Sequence, residues 1–91
     1  MNTRAVVCVS GRVQGVFFRE HTRKWATSFG LTGWVRNTED GQVEITVEGD
    51  KDTIERLLEL LREGPPLSRI DSLDMDWEVY SGEFLDFRIT W

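Results

Sequence analysis

Little in this chain can be cross-linked or metallated: it holds one cysteine, Cys8, and one histidine, His21. A lone cysteine closes no internal disulfide, and no Cys/His grouping has metal-site spacing, so no metal or cofactor is expected. Cys8, inside a strand-like run, reads as core, and His21, one turn before Trp25, as a partly exposed structural residue. Long apolar runs are also missing. That argues against a secretory leader or membrane insertion and makes the cytoplasm the expected compartment, with no membrane partner. Outside Gln14 and Asn37, only Asn2 and Gln42 carry side-chain amides; with 30% charged residues, that scarcity hints at a hot habitat. Basic charge is short too. The formal net charge is −5, so no broad cationic surface for a nucleic acid is expected.

What is present fits one compact unit. Ninety-one residues with four tryptophans and five phenylalanines can build a single core, so one domain over residues 1–91, acting as a monomer, is the expected organisation. Charge is unevenly spread: residues 1–38 hold six Lys or Arg against one acid, and residues 39–91 hold five against fifteen. Any one of these charges can be a solvated surface group. Their segregation makes the first 38 residues the place to look for an anion site.

Periodicity gives the elements. Residues 4–10 are β-rich and run to Gly11. Phe18, Thr22, Trp25, Ala26 and Phe29 then recur at helical spacing, and Gly30 follows as a stop. Residues 31–37 and 42–49 read as a hairpin turning at Asp40-Gly41, with Val43, Ile45 and Val47 facing inward and Glu44, Thr46 and Glu48 facing water. Ile54, Leu57, Leu58 and Leu61 form the stripe of a second helix, opened by a capping box of Asp52 with Glu55 and stopped at Gly64-Pro65-Pro66. Two alternating runs close the chain: Leu73, Met75, Trp77 and Val79, then Leu85, Phe87, Ile89 and Trp91, with Ser81-Gly82-Glu83 turning between them. The acids near residues 71–78 read as a solvated edge, not a calcium loop. The order is βαββαβ with a short fifth C-terminal strand. It predicts an α+β, ferredoxin-like split βαβ sandwich, an antiparallel sheet covered by two helices on one face. That topology hosts many unrelated functions.

The most informative stretch is Gly11-Arg12-Val13-Gln14-Gly15-Val16-Phe17-Phe18-Arg19, a loop that opens a helix. Glycines four apart permit left-handed backbone, so successive N–H groups can turn inward as a nest, and the helix N-terminus adds its positive dipole end. Such a concavity suits phosphate. No Gly-Lys-Ser/Thr closes it, which separates it from a nucleotide-binding Walker loop. A cation in a helix's first turn is disfavoured by about 0.3–1 kcal/mol, so Arg19 is locally misplaced. Spacing alone leaves two readings of it open: a grip on phosphate oxygens, or a surface arginine with its stem on Phe18. Asn37 at a strand end has the same ambiguity, since asparagine there is commonly a turn residue.

Gly11 to Arg19, followed by Gly33-Trp34-Val35-Arg36-Asn37 and Asp40-Gly41, resembles the two signature segments of the acylphosphatase family. The similarity extends in element order over nearly the whole chain, through Glu48-Gly49, Gly64-Pro65-Pro66 and Asp86-Phe87-Arg88-Ile89. It implies hydrolysis of acyl phosphates to a carboxylate and inorganic phosphate without metal. It further implies that backbone amides of Val13, Gln14, Gly15, Val16, Phe17, Phe18 and Arg19, with the Arg19 guanidinium, hold the phosphoryl group, and that Asn37 positions the attacking water. Inorganic phosphate is then both product and competitive ligand. Phe17 stands where the family varies and is often glycine, so the pocket rim should have its own shape. A departing carboxylate needs no proton at neutral pH, so the absence of an acid from the motif is no obstacle. Two expectations compete: the acylphosphatase-like module of a larger maturation protein acting on carbamoyl phosphate, and a binding module, either a phosphate sensor or an RNA reader stacking bases on Trp34 and Trp77. Against RNA stand Glu44, Glu48, Asp74 and Asp76 on the strands that would face it.

Overall fold

The computed structural model describes all residues, Met1–Trp91. In chain order the elements are β1 (Asn2–Arg12), α1 (Phe18–Ser28), β2 (Thr32–Asn37), β3 (Val43–Asp50), α2 (Lys51–Glu63), β4 (Arg69–Glu78) and β5 (Phe87–Ile89). The strands form one sheet in the order β4-β1-β3-β2-β5. β1 lies between β3 and β4, antiparallel to both, and β2 pairs antiparallel with β3 from Thr32↔Glu48 to Asn37↔Val43. Alternation does its work: Ala5, Val7, Val9, Val35, Val43, Ile45 and Val47 are fully buried in one cluster with Phe18, Ala26, Ile54, Leu57 and Leu61 of the helices. The α+β arrangement with two helices is as the pattern implied.

Four details differ from it, and each has a physical reason. First, the sheet is mixed, not antiparallel throughout: β5 runs parallel to β2, Gly33↔Phe87 to Val35↔Ile89. Ser81-Gly82-Glu83 is therefore no hairpin turn between neighbouring strands. β4 ends with Glu78 opposite Arg4, so residues 79–86 cross from one edge of the sheet to the other. Secondly, that crossing buries Glu48, expected in water but only 1% exposed. Its carboxylate accepts from Arg4 Nε (2.8 Å), Ser81 N (2.8 Å), Ser81 Oγ (3.0 Å) and Gly82 N (3.0 Å); Thr46, two residues earlier on the strand and also expected in water, is buried too. Thirdly, only three residues of the last alternating run form strand, so Phe87 is buried while Leu85 and Trp91 stand exposed. In β4, an edge strand, Leu73 and Met75 are half-buried, whereas Trp77 is exposed, as is Val79 just beyond it. Fourthly, α2 starts earlier than a box at Asp52 allows: β3 runs straight into it, and Asp50 is the cap, accepting from Asp52 N at 3.2 Å.

Cys8 also departs from the core reading. It alternates with Val7 and Val9 and so lies on the opposite sheet face, half-buried, with Sγ 2.6 Å from Gln42 Oε1. Burial, reinforced by Glu44, Asp40 and Asp74, pushes its thiol up, which disfavours the thiolate a nucleophile needs. No helix is long and apolar enough to cross a membrane.

Candidate active site

The phosphate-loop candidate leaves the sheet through a bulge. Register between β1 and β4 shifts at Ser10/Gly11, and Gly11, at φ +126°, approaches β4 so closely that a Cβ would lie 2.1 Å from the Arg69 carbonyl oxygen. Any side chain there would push β4 off or straighten the bulge. Beyond it, Val13, Val16 and Phe18 are buried as pegs that fix the loop to the core. Gly15 and Phe17, which flank the Val16 peg, both adopt left-handed backbone, φ +74° and +62°. For Phe17 that conformation costs about 1–2 kcal/mol.

The loop leaves its donors free. The backbone N–H groups of Val13 to Phe17 donate to no backbone acceptor. The N-cap residue of α1 is Phe17, which offers no side-chain cap, so the first turn of the helix is open as well. Successive free amides at a helix start, reinforced by its dipole, form a cradle for a tetrahedral anion.

Arg19 stands in that first turn, half-buried. Arg4, Arg23, Arg36, Arg69 and Arg88 each hold a carboxylate, and Arg19 holds none. Its Cζ instead lies 5.4 Å from the centre of the Trp91 ring. Its neighbour Glu20 is engaged by Arg23, whose hydrogen bond holds the carboxyl below its usual value. The guanidinium is thus charged, aimed into the cleft and not neutralised.

Asn37 ends β2 on the helix-covered face, two residues after the fully buried Val35. Its Oδ1 is buried and has no hydrogen-bond partner in the protein. Such an atom is costly to leave unsatisfied, by about 1–3 kcal/mol. Gln14 fixes the distance between the loop and this strand end: its Nε2 donates to the carbonyls of Thr38 (2.9 Å) and Gln42 (2.8 Å).

Six of the eight residues singled out from sequence, Val13, Gly15, Phe17, Phe18, Arg19 and Asn37, line one cleft of about 620 Å³. Gln14 and Val16 do not line it; one is turned to the hairpin and the other into the core, leaving them only backbone N–H groups to offer. The cleft also takes Glu20, Ile89 and Trp91, which the sequence reading did not place there. Periodicity sent Ile89 and Trp91 inward, and nothing local shows that β5 docks beside β2. His21 has no part in the cleft; its ring lies 5.8 Å from that of Trp25. No group of three or more His, Cys, Asp or Glu side chains could hold a metal.

A second hollow of about 500 Å³ lies around Trp34, Arg36, Phe84 and Arg88. Its arginines are already paired, Arg36 with Glu44 at 2.8 Å and Arg88 with Asp86 at 2.8 Å. It offers an anion much less than the loop does.

The acylphosphatase family model matches residues 5–89. The chain belongs to the acylphosphatase family. It is 46% identical over 89 residues to an acylphosphatase of Pyrobaculum islandicum, an alignment covering 97% of this chain and 94% of the relative. Among solved structures, an acylphosphatase from Bacillus subtilis superposes with a TM-score of 0.94 at 32% identity, covering all of both chains. One from Coxiella burnetii gives 0.91 at 44% identity, with 98% of this chain and 93% of that one covered. The ferredoxin-like fold is thereby the acylphosphatase fold, and the reaction is hydrolysis of the carboxyl–phosphate bond of an acyl phosphate. The substrate is a small molecule, and the enzyme is a hydrolase.

Proposed function

We propose that the open amides from Val13 to Arg19 and the Arg19 guanidinium bind the phosphoryl group, and that Asn37 holds the water that attacks it. The observation that carries this reading is the buried, unpartnered Asn37 Oδ1 on the wall of the cleft that Arg19 and the loop also line. A water donating one O–H to Oδ1 satisfies that atom and directs its lone pair toward the cradle. Charge-assisted bonds to phosphate contribute about 1.5–3 kcal/mol each, which outweighs the 0.3–1 kcal/mol dipole penalty of Arg19.

The steps balance without a side-chain base. Water oxygen bonds to phosphorus, the bridging P–O bond breaks, and the carboxylate leaves with the electron pair. The water's proton passes to a phosphoryl oxygen, giving inorganic phosphate. Glu20 stays ionised under Arg23 and is not the acid. Catalysis then rests on positioning and on donors fixed around the equatorial oxygens. The reading requires no metal and no cofactor, and it places residues 1–91 as one domain, a cytoplasmic monomer that binds no nucleic acid. The RNA alternative is weakened because its two rings lie on opposite faces of the sheet: Trp77 pairs with the buried Ala5 on the helix-covered face, whereas Trp34 alternates with the buried Val35 and faces the other way.

Benzoyl phosphate hydrolysis, with chelator present and inorganic phosphate as competitor, tests it. Asn37→Ala should lower kcat by about 10²–10³ and still bind phosphate. Arg19→Ala should lose about 10³ or more and lose phosphate binding too. Phosphate binding that is kept by both variants or lost by both, or loss of wild-type activity to chelator, would sink the assignment.

A further inference from the structure

The cleft is larger than a phosphoryl group requires, and its lining is of two kinds: polar at Gly15, Arg19 and Asn37, apolar at Phe17, Ile89 and Trp91. Phe17 is the notable residue. It sits in left-handed backbone, where a side chain is strained, yet its ring is 74% exposed, so core packing does not compensate. Its neighbours Val16 and Phe18 are the buried ones, and this alternation turns the Phe17 ring out at the cleft mouth. Trp91, 90% exposed, is the second large ring left in water there, and its contact with the Arg19 guanidinium places it beside the proposed phosphate site. Two exposed aromatics lining one cleft with free anion donors favour an apolar group against them.

We propose that Phe17 and Trp91 form the jaw that receives the acyl half of the substrate, so that this enzyme favours acyl phosphates with uncharged aromatic or bulky apolar acyl groups. The inference rests on the phosphate assignment above. It also specifies what the jaw rejects. Arg19 and Glu20 are the charged residues of the cleft lining; with Arg19 on phosphate and Glu20 held by Arg23, an acyl group carrying a second anion meets no cation and faces a carboxylate. Inclusion of Ile89 continues the apolar surface inward. Phosphate is held at the polar lining, and the carbonyl carbon with its substituent points out along the rings.

The test compares kcat/KM for benzoyl, acetyl and succinyl phosphate. Wild type is expected to prefer benzoyl over succinyl phosphate by about tenfold or more. Trp91→Ala and Phe17→Asn, the latter chosen because asparagine tolerates left-handed backbone, should each lower benzoyl relative to acetyl by about tenfold, chiefly through KM. Trp91→Tyr, which keeps a ring, should restore the ratio to within about threefold. Both sites are exposed, and circular dichroism confirms folding of each variant. Parallel losses on all three substrates, with an unchanged benzoyl-to-acetyl ratio, would show Trp91 merely props Arg19 and would overturn the jaw. Retention of full activity by Arg19→Ala would instead remove the phosphate assignment on which the jaw depends.

Discussion

The two ends of the sheet treat their polar groups in opposite ways. At the end where β3 runs into α2, Asp50 caps the helix and also takes the N-terminal ammonium of Met1 at 2.9 Å, and buried Glu48 is satisfied by four donors. At the end where β1 runs into α1, the helix has no side-chain cap, Arg19 sits against the dipole, and Asn37 Oδ1 is buried without a partner. The same chain evidently can cap a helix and satisfy a buried oxygen. Leaving one end undone is what a site requires, since donors already satisfied within the protein cannot stabilise a transition state. On the proposed assignment, stability is concentrated at one end and binding capacity at the other.

That contrast can be broken at its strongest point. Glu48→Gln should cost about 3 kcal/mol in urea denaturation, because it leaves a buried donor network mismatched, while turnover of folded protein stays near wild type. Acid sharpens the same point. Burial raises the Glu48 carboxyl, but the Ser81 N–H, Arg4, the Ser81 hydroxyl and the Gly82 N–H lower it further, so the net shift is downward. A folded value below the unfolded one, about 4.3, gives stability that is complete above that pH and lost as pH falls through the folded value. Wild type should therefore lose this stability below about pH 4.3, and Glu48→Gln should show a flatter acid limb. If the two acid limbs coincide, the network contributes nothing.

Asp50→Ala should come next, lowering Tm by roughly 4 °C with kcat intact; an unchanged Tm would mean the capped end is no more stable than the open one. The smallest effect has the reverse sign. Arg19→Ala should stabilise phosphate-free protein by about 0.3–1 kcal/mol, since it relieves the dipole conflict. Added phosphate should then raise Tm for wild type and leave the variant unmoved. A variant less stable than wild type without phosphate would show that Arg19 serves the fold.

Much of this was legible beforehand because it is local. The stripe of Ile54, Leu57, Leu58 and Leu61 needs only a 3.6-residue period, and Val43, Ile45 and Val47 need only a period of two. Gly11 and Gly15 mark the loop because positive φ excludes most side chains. Signature segments add the reaction, and they brought Arg19 and Asn37 to attention before any distance was known. What failed was non-local. Glu48 alternates with water-facing neighbours, and only the crossing of residues 79–86 buries it. Trp91 continues an inward period, yet β5 ends before it and leaves its ring at the cleft.

By itself, then, the sequence determined the elements, their order, the loop and the chemistry its motifs imply, since helical and strand periods and backbone permission are encoded residue by residue. Tertiary structure alone decided the mixed sheet, the buried Glu48, the tie Gln14 makes from the loop to Thr38 and Gln42 beside Asn37, and the arrival of Trp91 beside Arg19. These depend on which strands become neighbours, a choice set by burial of the whole core and not by any one segment's pattern.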